Sequence, residues 1–202
     1  MLERAQTIGL LGPGPVEPHL DHALALAGLL GPAPARFLDL GSGGGLPGLV
    51  LALVWPDARG SLVDTKRRAT DWLAEAIETL ALRPRIDVRS GRAEDLAREP
   101  ELRGGFGLVV ARGFGPPAAT AESGVGFLAA GGRLAVSEPP GDHDPTRWPD
   151  VGLAELGLSP AVRLRSGATG LAVMTSTTGP LDPWPRRSGL PRKRPQWTVT
   201  TG

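Results

Sequence analysis

"FLDLGSGGGLPGLVLALVWPDARGSLVD" spans Phe37 to Asp64, and its parts change character three times. "FLDL" closes an apolar run that reads as a buried strand, "ARFLDL" (35–40). Five glycines then fall within the eight positions 41–48. Glycine at that density marks a backbone that bends sharply or lets something approach it closely. Pro47 suits the first turn of a helix, which continues through "GLVLALVW". "RGSLVD" (59–64) follows as a second strand. Strand, tight turn, helix and strand in that order begin a parallel sheet.

The same alternation extends outward. Upstream, "VEPHLDHALALAGLL" (16–30) reads as a helix stopped by Gly31-Pro32. Downstream, "KRRATDWLAEAIETLAL" is amphipathic, with Trp72, Ala76, Ile77 and Leu80 on one side. "RIDVRS" (85–90) and "FGLVVAR" (106–112) read as strands. A helix is expected over 116–130, and Gly131-Gly132 then turn the chain into "RLAVSE" (133–138). "WPDVGLAELGL" reads as a short helix, and "AVRLRS" with "LAVMTSTT" as a hairpin about residues 167–170. Five strand–helix steps and a hairpin predict an α/β fold: a mostly parallel seven-stranded sheet, helices on both faces and a C-terminal antiparallel hairpin. Residues 1–180 are expected as one domain, and 181–202, rich in Pro and Arg, as a tail with little core of its own.

Composition narrows the chemistry. There is no Cys among the 202 residues, which excludes disulfides and thiol catalysis. His19, His22 and His143 are the only histidines and no HExxH spacing occurs, so no metal is expected. The longest apolar runs are about half of the roughly 20 residues that span a bilayer. The N-terminal stretch has no basic segment leading into an apolar one, so a cytoplasmic protein without a signal peptide is expected. The formal charge of +1 hides an asymmetry: residues 181–202 carry Arg186, Arg187, Arg192, Lys193 and Arg194 against Asp182, a net of +4, and the remainder is −3.

In an open α/β sheet, ligands sit beyond the carboxyl ends of the strands where strand order reverses, and the glycines occupy the first such turn. Two cofactor classes compete for it. The nicotinamide fingerprint G-x-G-x-x-G fails from Gly41, because Leu46 takes its last position; from Gly43 it fits Gly45 and Gly48 but encloses Pro47. The pattern D-x-G-x-G-x-G fits in full at Asp39, Gly41, Gly43 and Gly45. S-adenosylmethionine has no pyrophosphate, and a carboxylate such as Asp39 suits the ammonium of its amino-acid end, through water. Asp64, 19 positions after Gly45, stands where an acid accepts from both ribose hydroxyls. Both classes use that acid, so Asp39 makes the choice for S-adenosylmethionine.

The stretch 37–73 resembles the bacterial 16S rRNA methyltransferase G family, also called glucose-inhibited division protein B. The similarity continues in "GRAEDLA" (91–97), "FGLVVARGFGPP" (106–117), "GGRLAVSE" (131–138) and the Arg-rich, Pro-interrupted "WPRRSGLPRKRPQW". The resemblance implies a class I methyltransferase fold and transfer of a methyl group to N7 of a guanine in 16S ribosomal RNA. It also implies that Gly41, Gly43 and Gly45 line the methionine end of the cofactor, that Asp64 takes the ribose, and that Ala93 and Glu94 flank the adenine. Arg112 then lies at the mouth beside cofactor and substrate, as the catalytic candidate.

Guanine N7 is a lone pair without a proton, so its methylation needs no general base. The fourth strand ends in Ala111-Arg112-Gly113 and lacks the Asn-Pro-Pro-aromatic segment used on exocyclic amines. Two departures keep an alternative open, namely a diverged member acting on a small molecule or a cofactor-binding protein without RNA activity. The N-terminal region is shorter than the family's, and Glu138-Pro139-Pro140 stands where the family carries a Lys-Gly. Lys66, Arg67 and Arg68 are open to RNA or to water. His19 and His22 read as surface polar positions. The partner expected for the basic tail is 16S ribosomal RNA or the small ribosomal subunit.

Overall fold

Period-two alternation sorts the strand residues onto two apolar faces, and those faces determine where the helices sit. The computed structural model describes residues 1–141 and 144–199; His143 lies outside the described residues. Strands β1 (Arg36–Leu40), β2 (Arg59–Asp64), β3 (Ile86–Ser90) and β4 (Phe106–Ala111) are joined by helices α3 (Gly48–Val54), α4 (Arg67–Thr79) and the short α5 (Ala93–Leu96). Helices α1 (Leu2–Thr7) and α2 (Glu17–Leu30) precede them. After β4 come α6 (Pro117–Val125), β5 (Leu128–Glu138), α7 (Asp150–Glu155), the hairpin β6 (Val162–Ser166) and β7 (Thr169–Thr175), and finally α8 (Leu190–Lys193).

The seven strands lie in the order β3-β2-β1-β4-β5-β7-β6. All pairs are parallel except β5 with β7 and β6 with β7. The predicted architecture is therefore observed, and strand order reverses between β1 and β4. Phe37, Leu108, Val110, Leu171 and Val173 form one core with α2, α3 and α4. Their neighbours Leu38, Leu40, Val109, Ala111, Ala172 and Met174 form the other with α5, α6 and α7. Helix α4 buries Ala69, Trp72, Leu73, Ala76 and Ile77, the i, i+3, i+4 stripe that its sequence predicts.

Two boundaries differ from the sequence reading. The helix expected over 116–130 ends at Val125, and Leu128 already pairs with Phe106 in β5. Phe127 and Leu128 are fully buried, and the Phe127 ring meets Phe106 edge-on at 6.2 Å, so tertiary burial overrides local helix propensity. Gly131, expected in a turn, sits inside β5 at φ +76, where the register jumps from Phe106↔Leu128 to Leu108↔Arg133. Helix α1 was not evident in the sequence; it buries Ala5 against the first core. Among the described residues no helix is long and apolar enough to cross a membrane.

Candidate functional site

The loop after β1 is held by the strand beside it. Gly41 and Ser42 both donate their N–H groups to the Val63 carbonyl, each at 2.9 Å. Gly43 turns at φ +51, a conformation that favours glycine, and this aims its N–H at Asp64 Oδ2, 2.9 Å away. Asp64 Oδ1 accepts from the Lys66 N–H at 2.9 Å. Two backbone donors thus fix the carboxylate and leave acceptor capacity on both oxygens.

A cavity of about 840 Å³ opens beyond the carboxyl ends of β1 to β4. Of the residues expected at the site, Gly41, Gly43, Asp64, Ala93, Glu94 and Arg112 line it, while Asp39 and Gly45 do not. Gly45 turns at φ +93 directly over α3, where a Cβ would come within 2.4 Å of Leu49. Its visible task is to seat the helix. Asp39 is 1% exposed, and its Oδ2 accepts from the N–H of Gly48, the first residue of α3, at 2.9 Å. It lies beneath the loop and holds turn and helix together.

Burial pushes the Asp39 carboxyl up to about 7; the charge of Asp64 pushes the same way, and the Gly48 N–H and Arg112 oppose. Between about pH 4 and about pH 7 the native state therefore keeps a proton that the unfolded chain has released. The stability contributed by this group is complete below that window and lost as the pH rises through it. Asp39→Asn keeps an acceptor for Gly48 and cannot ionise. In urea titrations across the window, the wild type should lose stability relative to this variant as the pH rises. A constant difference would show that Asp39 ionises as freely as in the unfolded chain.

Several lining residues were missed by sequence reasoning. Leu10, Leu11 and Gly12 close one side, Phe114 and Arg192 another, and His19 reaches in from α2. His19 Nδ1 lies 2.8 Å from Arg112 Nη2. Burial pulls the half-buried Arg112 below its ordinary pKa, partly offset by Asp39. Among the described residues its Nη1 is buried without a partner. The available signal was the His19-Leu20-Asp21-His22 spacing, which puts two histidines one turn apart on one helical face. His22 does not enter the cavity; it bonds Ser137 Oγ at 2.9 Å and Thr169 Oγ1 at 3.2 Å. Among the described residues no group of three or more His, Cys, Asp or Glu is placed to hold a metal.

The basic segment wraps the domain instead of extending from it. The buried Glu122 of α6 takes three bonds from Arg186: the backbone N–H at 2.9 Å, Nε at 2.8 Å and Nη2 at 2.6 Å. Gly189 donates its N–H to Glu94 Oε1 at 3.1 Å, and Ser188 donates to Asp95 at 2.6 Å. Arg192 donates to the Phe114 carbonyl at 2.6 Å and covers the Phe114 ring at 5.2 Å. Trp197 lies on Gly152 and donates to the Arg147 carbonyl at 3.0 Å. Arg187, Lys193 and Arg194 remain exposed. Glu138 also faces inward: it accepts from Trp148 Nε1 at 3.0 Å and pairs with Arg147 at 3.3 Å. Its charge is therefore answered within the protein.

A model of the family described as rRNA small subunit methyltransferase G matches residues 14–137. The chain belongs to the rRNA small subunit methyltransferase G family. The ribosomal RNA small subunit methyltransferase G of Moorella thermoacetica is 32% identical over 182 residues, 87% of this chain and 75% of the relative. That of Rubrobacter xylanophilus is 32% identical over 205 residues, 95% of this chain and 77% of the relative. Among solved structures, an O-methyltransferase family protein from Burkholderia thailandensis superposes with TM-score 0.61 at 17% identity, over 81% of this chain. An O-methyltransferase of neocarzinostatin biosynthesis, solved with S-adenosylmethionine, does so with TM-score 0.58 at 17% identity, over 74% of this chain. The chain spans 57% and 50% of those two, and at such identity the likeness shows the fold alone, that of class I methyltransferases.

Proposed function

We propose that the protein transfers a methyl group from S-adenosylmethionine to N7 of a guanine in small-subunit ribosomal RNA. Membership of the rRNA small subunit methyltransferase G family carries this reading, and the cavity fits it. A volume of about 840 Å³ suits a nucleoside-sized ligand. The carboxylate of Asp64, fixed by two backbone donors, keeps acceptor capacity for a ribose diol. S-adenosylmethionine supplies, when bound, a methyl group already activated for displacement by its sulfonium.

The protein's own part is to bind and align. Asp64 accepts from the ribose, Ala93 and Glu94 flank the adenine, and the loop Gly41–Gly43 faces the methionine end. Asp39 and Gly45 act from beneath, by fixing loop and helix. Arg112 stands at the mouth to orient the incoming nucleotide. The attacking nitrogen carries no proton, so no side chain need act as a base. Orientation can contribute roughly 7–11 kcal/mol to such a transfer. A substrate of this kind places the protein in the cytoplasm, with the ribosome.

The test is methyl transfer from labelled S-adenosylmethionine to small subunits purified from a strain lacking the enzyme. One new 7-methylguanosine should appear in the RNA, and calorimetry should show saturable S-adenosylmethionine binding with NAD silent. Binding of NAD, or labelling confined to small molecules, would overturn the reading.

RNA phosphate is assigned to Arg187, Lys193 and Arg194, exposed cations of the C-terminal segment whose side chains take no part in the contacts above. Binding to RNA should weaken with salt at a log–log slope of about −0.7 to −0.9 per phosphate neutralised. Changing these three to Gln should make that slope shallower while cofactor affinity stays constant. An unchanged slope removes the segment from the RNA interface.

A further inference from the structure

Arg112 is held in an unusual way for a half-buried cation. No carboxylate lies within ion-pair distance of it among the described residues; its hydrogen-bond partner is His19. A guanidinium has only donors, so the 2.8 Å contact requires a lone pair on His19 Nδ1. The ring must then be neutral, with its proton on Nε2. Its far edge faces the turn before α2, where a Cβ on Gly12 would lie 3.5 Å from Cε1 and 3.7 Å from Nε2. The imidazole thus faces the turn on one side and accepts on the other. A carboxylate in its place would orient Arg112 too, but would cancel its charge. A neutral acceptor fixes the guanidinium and leaves the charge available to an anionic or carbonyl-bearing substrate.

We infer that His19 is a positioning residue for methyl transfer, holding Arg112 at the cavity mouth only while its imidazole is unprotonated. This role rests on the reading of the cavity as a methyl-transfer site. A proton on Nδ1 would set donor against donor and cation against cation, and Arg112 would lose its one anchor. The charged groups around the pair work in both directions. His22 lies one turn along α2, and Asp39, in β1, sits beneath the glycine loop. Asp64 ends β2 and Lys66 follows it, Arg92 and Glu94 bracket the start of α5, and Arg192 comes from α8. Among the described residues no salt bridge joins any of these carboxylates to His19.

The experiment follows kcat and KM against pH for methyl transfer to unmethylated small subunits, with S-adenosylmethionine affinity measured calorimetrically at each pH. The wild type should show an acid limb in kcat, where the imidazole takes up its proton. His19→Ala should lower kcat by about ten- to a hundredfold, as misplacement of an orienting group does, with cofactor Kd within about twofold. His19→Asn carries an amide oxygen close to the Nδ1 position and cannot titrate. It should recover most of the activity lost in the alanine variant and lack the acid limb, whereas His22→Asn should keep the limb. A His19→Asn enzyme with the limb intact, or a His19→Ala enzyme with wild-type turnover, overturns the role. If His19→Ala does not fold, the pH profile of His19→Asn still decides. A wild type without transfer to the subunit overturns the methyltransferase reading, and the role with it; an active wild type indifferent to position 19 overturns the role alone.

Discussion

Asp64→Asn is expected to weaken S-adenosylmethionine binding by roughly 1.5–3 kcal/mol, the scale of hydrogen bonds to a charged group. That is about ten- to a hundredfold in Kd. The substitution preserves shape but replaces one oxygen with an amide N–H₂. That group must face either the Gly43 N–H or the Lys66 N–H, both of which now donate to the carboxylate. The loop therefore loses a brace at the same time as the ribose loses a charged acceptor. Calorimetric titration of the folded variant measures the effect, with circular dichroism to confirm folding. An unchanged Kd would mean that the ribose is held elsewhere.

The second large effect belongs to Arg186. Glu122 is fully buried within α6, and Arg186 supplies all the hydrogen bonds described for it. Removing one member of a buried pair strands the other charge, at a cost of about 3–5 kcal/mol. Arg186→Met should lower the urea midpoint accordingly, and cofactor affinity should fall with it, because Gly189 and Arg192 are carried on the same segment. Replacing Glu122 by Gln in that background removes the stranded charge and should restore part of the loss. A double variant no more stable than the single one would show that the pair does not anchor the segment.

The sequence carried the sheet because each strand obeys a local rule. In "RGSLVD" and "FGLVVAR", alternation or continuous apolarity reflects burial directly, and the glycine loop with Asp64 lies within one short stretch. What failed to show depends on distant partners. Nothing near residue 127 announces that Phe127 will leave a helix to meet Phe106. His19 became part of the site only when the start of α2 met Arg112, just after β4. The segment after residue 181 reads as solvated because its neighbours in sequence are Pro and Arg, whereas its anchors, Glu122, Glu94 and Gly152, lie 45 to 95 residues away. One clue was available: a glutamate in the middle of "PAATAESGV", a helix otherwise made of small and apolar residues, needs a partner.

The donors from Gly189 and Arg192 also set a timetable. All seven strands are complete by Thr175, so a nascent chain can build its whole sheet before the wall that these two residues provide exists. Competence to hold the cofactor should arrive after the sheet, once the segment around Arg192 has left the exit tunnel. A stop codon falling after Arg186 but before Gly189 keeps the Arg186–Glu122 pair and should therefore yield a folded protein that is enzymatically silent.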